Sequence, residues 1–232
     1  MIKTKNLYYM YDDRFVLESI NLEIDDMGFT AIIGANGSGK STLAKHFNGL
    51  LIPTKGEVLV DGMNTRDNDN DARKKVGFVF QNFEDQLIYS IAEEDVAFGL
   101  ENLEMPISEI KKITNSTLRQ LRINNLAREN VNFLSSGQKQ LVALAGVLAM
   151  KPKYIVFDEP TTMLDSINRK NIMDVIKNLN KNEKIGIILV TNSFDDLKYA
   201  DNVVVLKKGR VLFKGMTSRL NKKILSRAGL YA

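Results

Sequence analysis

The chain has 232 residues, 44% of them hydrophobic, with no cysteine, a single histidine and a formal net charge of +4. That length and apolar content suit one large domain, or a domain carrying a subdomain, around a substantial core. The absence of cysteine excludes a disulfide framework and thiolate metal sites, and the mild, dispersed charge gives no indication of nucleic acid or anionic lipid as a partner. Met1 to Asn6 lack the apolar stretch of a signal peptide, and the longest apolar run, Leu141 to Met150, is about half of a bilayer span, so a soluble or membrane-peripheral chain is expected.

Alternating apolar and polar residues from Ile2 to Met10 and from Phe15 to Ile24 predict two strands of a partly exposed antiparallel sheet. The reversal between them carries Tyr11, an aromatic that either packs on that sheet or stacks on a bound base. Phe29 to Ile33 is a short apolar run that reads as a buried strand, and Thr42 to Phe47 reads as a helix. Between them lies Gly34-Ala35-Asn36-Gly37-Ser38-Gly39-Lys40-Ser41-Thr42, which fits the Walker A pattern of Gly, four residues, Gly, Lys, then Ser or Thr. The glycines permit backbone angles and close approach that side chains would block, so successive amides can point at phosphate oxygens and the following helix adds its positive end. Lys40 would bring a full charge to the β and γ phosphates, and the Ser41 hydroxyl would ligate Mg²⁺. His46, on the helix after this loop, has no titratable partner nearby in sequence and is expected to be a packing or surface residue.

Pro53 and Gly56 mark a break, Glu57 to Val60 reads as a strand ended by the Asp61-Gly62 turn, and the polar stretch from Asn64 to Lys75 as a surface loop with a short helix. Val76 to Phe80 is a further buried strand. It delivers Gln81 at its carboxyl end, where α/β sheets gather ligand groups, placed to orient either Mg²⁺ or an attacking water. From Glu84 to Met150 the pattern turns helical, with a start near Pro106 and Ser108 and an apolar stripe of Leu118, Leu121 and Leu126. The last helix of this stretch follows Leu134-Ser135-Ser136-Gly137-Gln138; either serine can cap it, and its apolar face is Leu141, Leu144, Ala145 and Leu148.

Tyr154 to Phe157 is a buried strand that carries Asp158-Glu159-Pro160. Two acids at a strand's end can divide the work, Asp158 holding Mg²⁺ and Glu159 polarising water as general base. Leu164-Asp165 precedes a helix expected from about Asn168 to Asn180, Ile185 to Val190 is a strand ending in Thr191-Asn192, and Ser193 with Asp196 has the spacing of a capping box. Val203 to Leu206 and Val211 to Phe213 flank a hairpin turn, and the chain from Ser218 onward is basic.

The order Walker A, Gln81, Leu134-Ser135-Ser136-Gly137-Gln138, Asp158-Glu159, Leu164-Asp165 and Thr191-Asn192 resembles the nucleotide-binding subunit of an ATP-binding cassette (ABC) transporter over about residues 1 to 220. Gln81-Asn82-Phe83-Glu84-Asp85-Gln86 and Glu94 to Asn102 resemble, within that family, the ATPases of energy-coupling factor (ECF) and cobalt-nickel importers, which usually carry Pro where Phe83 stands and often extend some tens of residues further. The resemblance implies an α/β fold: a P-loop NTPase core with a mainly parallel sheet and an antiparallel β subdomain (residues 1–83 and 151–217), an inserted helical subdomain (84–150), and a basic tail (218–232). It implies ATP and Mg²⁺ as cofactors, Tyr11 against adenine, and Gly34, Asn36, Gly37, Ser38, Gly39, Lys40, Ser41 and Thr42 around the phosphates. Gln81 would sense the γ phosphate.

Ser136 and Gly137, with Gln138 in the same signature, would contact the γ phosphate of a facing ATPase, a copy or a paralogue, with Asp165 at the seam. Where the family has a switch histidine this chain has Asn192, which can donate a hydrogen bond but carries no charge, and a slowed site is the expectation. The implied partners are a transmembrane scaffold and a small substrate-binding membrane protein at the cytoplasmic face, with no nucleic acid. The implied role is to power import of a vitamin or transition-metal ion. The alternatives are the ATPase of another ABC transporter class and a soluble ABC ATPase of metal-cluster assembly or nucleic-acid work.

Overall fold

A computed structural model describes residues 1–162 and 164–230. Met163 and the end of the basic tail, Tyr231 and Ala232, lie outside the described residues. The first two strands, β1 (Ile2–Tyr11) and β2 (Arg14–Ile24), pair antiparallel and are joined by β4 (Lys55–Val60) and β5 (Met63–Asn64) in a four-stranded sheet of order β2-β1-β4-β5. The larger sheet has six strands: β3 (Phe29–Gly34), β6 (Val76–Val79), β7 (Tyr154–Asp158), β8 (Gly186–Val190), β9 (Asn202–Lys207) and β10 (Arg210–Met216), in the order β10-β9-β3-β8-β7-β6. Every neighbouring pair is parallel except β9 with β10, the hairpin at the edge.

The four central strands are apolar on both faces, as a sheet covered on both sides requires. Their side chains alternate between two cores with the period of two of an extended chain. Ala31, Ile155, Phe157, Ile187, Leu189, Val203 and Val205 face the core shared with the helical stretch, whereas Ile32, Val156, Ile188, Val190, Val204 and Leu206 face the small sheet. Helix α1 (Lys40–Phe47) is wedged into this second core by Leu43, Ala44 and Phe47, so the start of the helix is pinned between the sheets. The polar stretch forms α2 (Asp69–Lys75), and the helical stretch α3 (Ala92–Glu101), α4 (Ile107–Gln120) and α5 (Ser136–Ala149), joined by short 3₁₀ turns.

Three sequence expectations are corrected. Leu126 is buried but does not continue the stripe of α4, which ends at Gln120; it arrives through a 3₁₀ turn at Asn124–Leu126. Helix α6 runs Ser166–Glu183 rather than from Asn168 to Asn180, because the Asp165 carboxylate accepts from the amides of Ile167 and Asn168 and so starts it earlier. The pair Ser193 and Asp196 forms no capping box: the Asp196 carboxylate is taken by Arg169, Thr161 and Thr191, and the segment Phe194–Tyr199 is 3₁₀. The tail contains α7 (Lys222–Ala228), which buries Leu225 and Ala228 against the core.

His46 is wholly buried, and burial pushes its pKa down from 6.5 to about 4. Between those values the unfolded chain binds a proton that the folded one does not, so stability is lost as pH falls from 6.5 toward 4, up to about 3 kcal/mol for this group. Thermal melts of His46→Phe between pH 7 and 4 are expected to show a shallower acid limb than the parent. An equally steep limb would place the sensitivity in other groups.

Candidate functional site

At the carboxyl end of β3 the chain turns through the Walker A loop into α1. Gly37 and Gly39 hold φ of +75° and +97°, a region that L side chains rarely enter. Gly34 is required for a different reason: a Cβ there would stand 2.5 Å from both the Leu206 carbonyl oxygen and Ser38 Oγ. Ser38 is buried beneath the loop, its carbonyl accepting from the Gly209 amide at 3.0 Å, so Gly34 and Ser38 shape the loop from below.

Lys40 is 5% exposed. Its Nζ donates to the Gly34 carbonyl at 3.0 Å and stands 4.0 Å from Glu159 Oε1. Burial lowers its pKa, while Glu159 and Asp158 act in the opposite sense. Ser41 Oγ donates to Asp158 Oδ1 at 2.8 Å. Asp158 is itself buried, and burial raises its pKa, opposed by that hydrogen bond.

Glu159 follows β7 with φ of +50°, an uncommon conformation for a residue with a side chain, and it turns the carboxylate toward the loop. Its Oε2 accepts from Gln81 Nε2 and from Thr162 Oγ1, each at 3.2 Å, and its Oε1 accepts from Asn192 Nδ2 at 2.5 Å. Asn192 Nδ2 also reaches Asn36 Oδ1 at 3.1 Å. These groups line one open cavity of about 470 Å³ with Gly37, Gly39, Lys40, Ser41 and Thr42. Residues from the ends of β3, β6, β7 and β8 therefore converge on one place, as ligand groups do in parallel sheets.

Thr162, not singled out from the sequence, lines the cavity and holds Glu159. Behind it, the buried Asp196 accepts from Arg169 Nη2 at 2.8 Å, Thr161 Oγ1 at 3.2 Å and Thr191 Oγ1 at 2.7 Å, tying the loop after Glu159 to the loop that carries Asn192. No local spacing announces this network; only the parallel register of β7 and β8 brings its members together.

Tyr11 and the signature residues Ser136, Gly137 and Gln138 stand apart from the cavity. Tyr11, 45% exposed at the β1–β2 hairpin, does not line it. Nor do Ser136 and Gly137, at the start of α5. Of the two candidate caps it is Ser135 that caps α5, and the Gln138 side chain closes the reciprocal capping box by accepting from the Ser135 amide at 2.9 Å. The Gly137 position lies against Asn168, where a Cβ would meet Oδ1 at 3.1 Å, so the starts of α5 and α6 abut.

Ser41 and Asp158 offer oxygen donors side by side, which fits a hard cation such as Mg²⁺. Among the described residues no three His, Cys, Asp or Glu side chains gather into a metal cage, so such a cation would need phosphate or water oxygens to complete its shell.

Residues 17–162 match the family described as ABC transporter. The energy-coupling factor transporter ATP-binding protein EcfA1 of Caldanaerobacter subterraneus subsp. tengcongensis is 44% identical, over 99% of this chain and 86% of that protein. The cobalt import ATP-binding protein CbiO of Syntrophus aciditrophicus is 41% identical, over 91% of this chain and 77% of that protein. Among solved structures, cbiO1 from Clostridium perfringens, described as part of the ABC transporter complex cbiONQ, superposes with a TM-score of 0.88 at 38% identity, covering 97% of this chain and 92% of that one. A dimeric, post-hydrolysis ATP-binding cassette, MJ0796 bound to ADP and Pi, gives 0.82 at 33% identity, covering 94% of this chain and 99% of that one.

Proposed function

This chain belongs to the ATP-binding subunits of ABC transporters, and from its likeness to the energy-coupling factor ATPases we propose that it is the ATP-hydrolysing subunit of such an importer, carrying a vitamin or a transition-metal ion. The observation that carries this reading is the convergence of Lys40, the Ser41–Asp158 pair and Glu159 on the cavity of the Walker A loop. The amides from Gly37 to Thr42 and the Lys40 ammonium bind the triphosphate. Glu159 takes the proton of the attacking water, whose oxygen bonds to the γ phosphorus as ADP leaves. Mg²⁺, held by Ser41, Asp158 and Gln81, would neutralise phosphate charge when bound.

The core is assigned to residues 1–83 and 151–217, the helical subdomain to 84–150 and the tail to 218–232. A single copy lacks the groups of Ser136, Gly137 and Gln138 at its own cavity, which supports the reading that two ATPases face each other and each supplies them to the other's γ phosphate. The partners are then a second ATPase, a membrane scaffold and a small substrate-binding membrane protein. Among the described residues no helix is long and apolar enough to cross a membrane, in keeping with peripheral attachment at the cytoplasmic face.

Asn192 stands where the family has its switch histidine, and it hydrogen-bonds the proposed base. Losing a preorganised donor outright costs about 10² to 10³ in rate, and the shorter, uncharged Asn costs part of that. Asn192→His is expected to raise turnover, by about tenfold. An unchanged or lower rate in a folded variant would count against a slowed site.

A pull-down of the tagged chain from detergent-solubilised membranes, and separately from cytosol, tests the whole reading. Recovery of a membrane scaffold, a small membrane binding protein and an ATPase partner is expected. Recovery from cytosol alone, with soluble assembly factors or nucleic acid, would overturn the transporter assignment.

A further inference from the structure

His46 lies on the helix of the phosphate loop yet takes no part in the cavity, and packing alone does not account for an imidazole there. Its Nδ1 is 2.7 Å from the Thr42 carbonyl oxygen, which can only accept, so Nδ1 carries the proton and Nε2 is left as a bare acceptor. That Nε2 is buried and has no partner, a cost that a leucine or phenylalanine at this position would not carry. The ring's other contact is Tyr9, met edge to face with centroids 4.7 Å apart and planes at 78°. Tyr9 in turn meets Tyr11, two residues on along the same face of β1, at 4.8 Å and 88°. The Tyr9 phenol is pushed up, chiefly by burial and further by the neighbouring Tyr11.

An unbroken series of contacts thus runs from the Thr42 carbonyl, in the phosphate loop, through His46 and Tyr9 to Tyr11. We infer that His46 is a positioning residue for the nucleotide base: its ring, oriented by the bond to Thr42, holds Tyr9 and through it Tyr11 at a set distance from the phosphate cradle. The inference rests on the reading of Tyr11 as the surface against which adenine stacks. Tyr11 is 45% exposed at a hairpin tip, and Asp12 and Asp13 in the turn beside it hold φ of +42° and +61°. A side chain so placed has few contacts to fix its rotamer, and the Tyr9 edge is the one aromatic support it has among the described residues. Base and phosphates bind together only if their two supports keep a fixed spacing, which this contact series supplies.

The test compares two ligands, MgATP and magnesium tripolyphosphate, the second of which needs the phosphate loop and no base platform. His46→Leu, which removes the ring at similar bulk, is expected to weaken MgATP binding about three- to tenfold, the worth of one edge-to-face aromatic contact, and to leave tripolyphosphate binding unchanged. His46→Phe, which keeps the edge-to-face contact but loses the bond to Thr42 that orients the ring, should bind MgATP more tightly than His46→Leu and more weakly than the parent. If His46→Leu does not fold, Tyr9→Leu is expected to give the same split between the two ligands. Equal losses for both ligands would mean that the phosphate loop itself has shifted, and unchanged MgATP affinity would mean that the ring supports nothing; either overturns the inference. Tyr11→Ala separates it from the reading beneath: if that variant binds MgATP as the parent does, the stacking role of Tyr11 fails; if it weakens binding while His46→Leu and Tyr9→Leu do not, only the positioning role fails.

Discussion

Glu159→Gln is expected to lower ATP turnover by about 10² to 10⁴ while MgATP binding survives, because it removes a proton acceptor and little else. The parent carboxylate accepts on both oxygens, from Asn192 on one and from Gln81 and Thr162 on the other. A glutamine amide keeps one acceptor, which can still take the Asn192 donor. Its NH₂ then faces Gln81 and Thr162, and the Thr162 hydroxyl can rotate to accept. The network behind, from Asp196 to Arg169, Thr161 and Thr191, does not involve Glu159 and should hold the loop in place. With hydrolysis blocked, ATP-bound pairs of the chain should accumulate and elute as dimers from a sizing column, whereas the parent returns to monomers as ATP is consumed. Parent-like turnover in this variant would remove Glu159 as the base.

How much of this site could be read in advance depends on how locally each part is determined. The phosphate loop was legible because its glycines answer to backbone geometry within nine consecutive residues: Gly37 and Gly39 do hold positive φ. The pairing of Ser41 with Asp158 was legible for another reason, since both residue types are demanded by the same chemistry even though 117 positions separate them. Buried strands were legible as apolar runs, and the parallel sheet puts their carboxyl ends together whatever the details of packing.

Other features depend on register and on competition between partners. Asp196 has the spacing of a cap, but a charge-assisted bond from the half-buried Arg169 guanidinium to this buried carboxylate is stronger than a cap, and Arg169 together with two threonines claims it. Asp165 was read from the resemblance as a residue of the dimer seam; its local work as the cap of α6 shifts the helix start. The contact of His46 with Tyr9 needs the face of β1 to meet α1, a relation between two elements that neither pattern contains. Thr162 was overlooked because its role exists only once the left-handed turn at Glu159 brings the two side chains together.

Lys40→Ala should act on the other half of the chemistry, abolishing MgATP binding rather than hydrolysis. The Lys40 ammonium is buried, and the carboxylates of Asp158 and Glu159 stand close enough to counter the effect of that burial on its pKa. Removing the cation leaves two carboxylates at a cavity that must accept a polyanion. Their repulsion of the phosphates adds to the loss of the direct contact, and truncating one partner of a desolvated charge pair in a binding site typically costs about 2 to 5 kcal/mol, so MgATP affinity should fall about 100-fold or more. The loop itself should persist, since its shape rests on Gly34 against Leu206, on the Ser38 carbonyl bound by Gly209, and on α1 wedged between the sheets by Phe47. A thermal-shift experiment reads both points at once. The parent should gain about 2.7 kcal/mol of stability from MgATP at 100 times its Kd, Glu159→Gln should gain at least as much, and Lys40→Ala, whose nucleotide-free form melts lower because Asp158 and Glu159 lose their cation, should gain at most about 0.4 kcal/mol over that form at the same concentration. A Lys40→Ala chain that is stabilised by MgATP like the parent would assign the binding energy to the loop amides and the start of α1 alone, and Lys40 would then have to act only in the transition state.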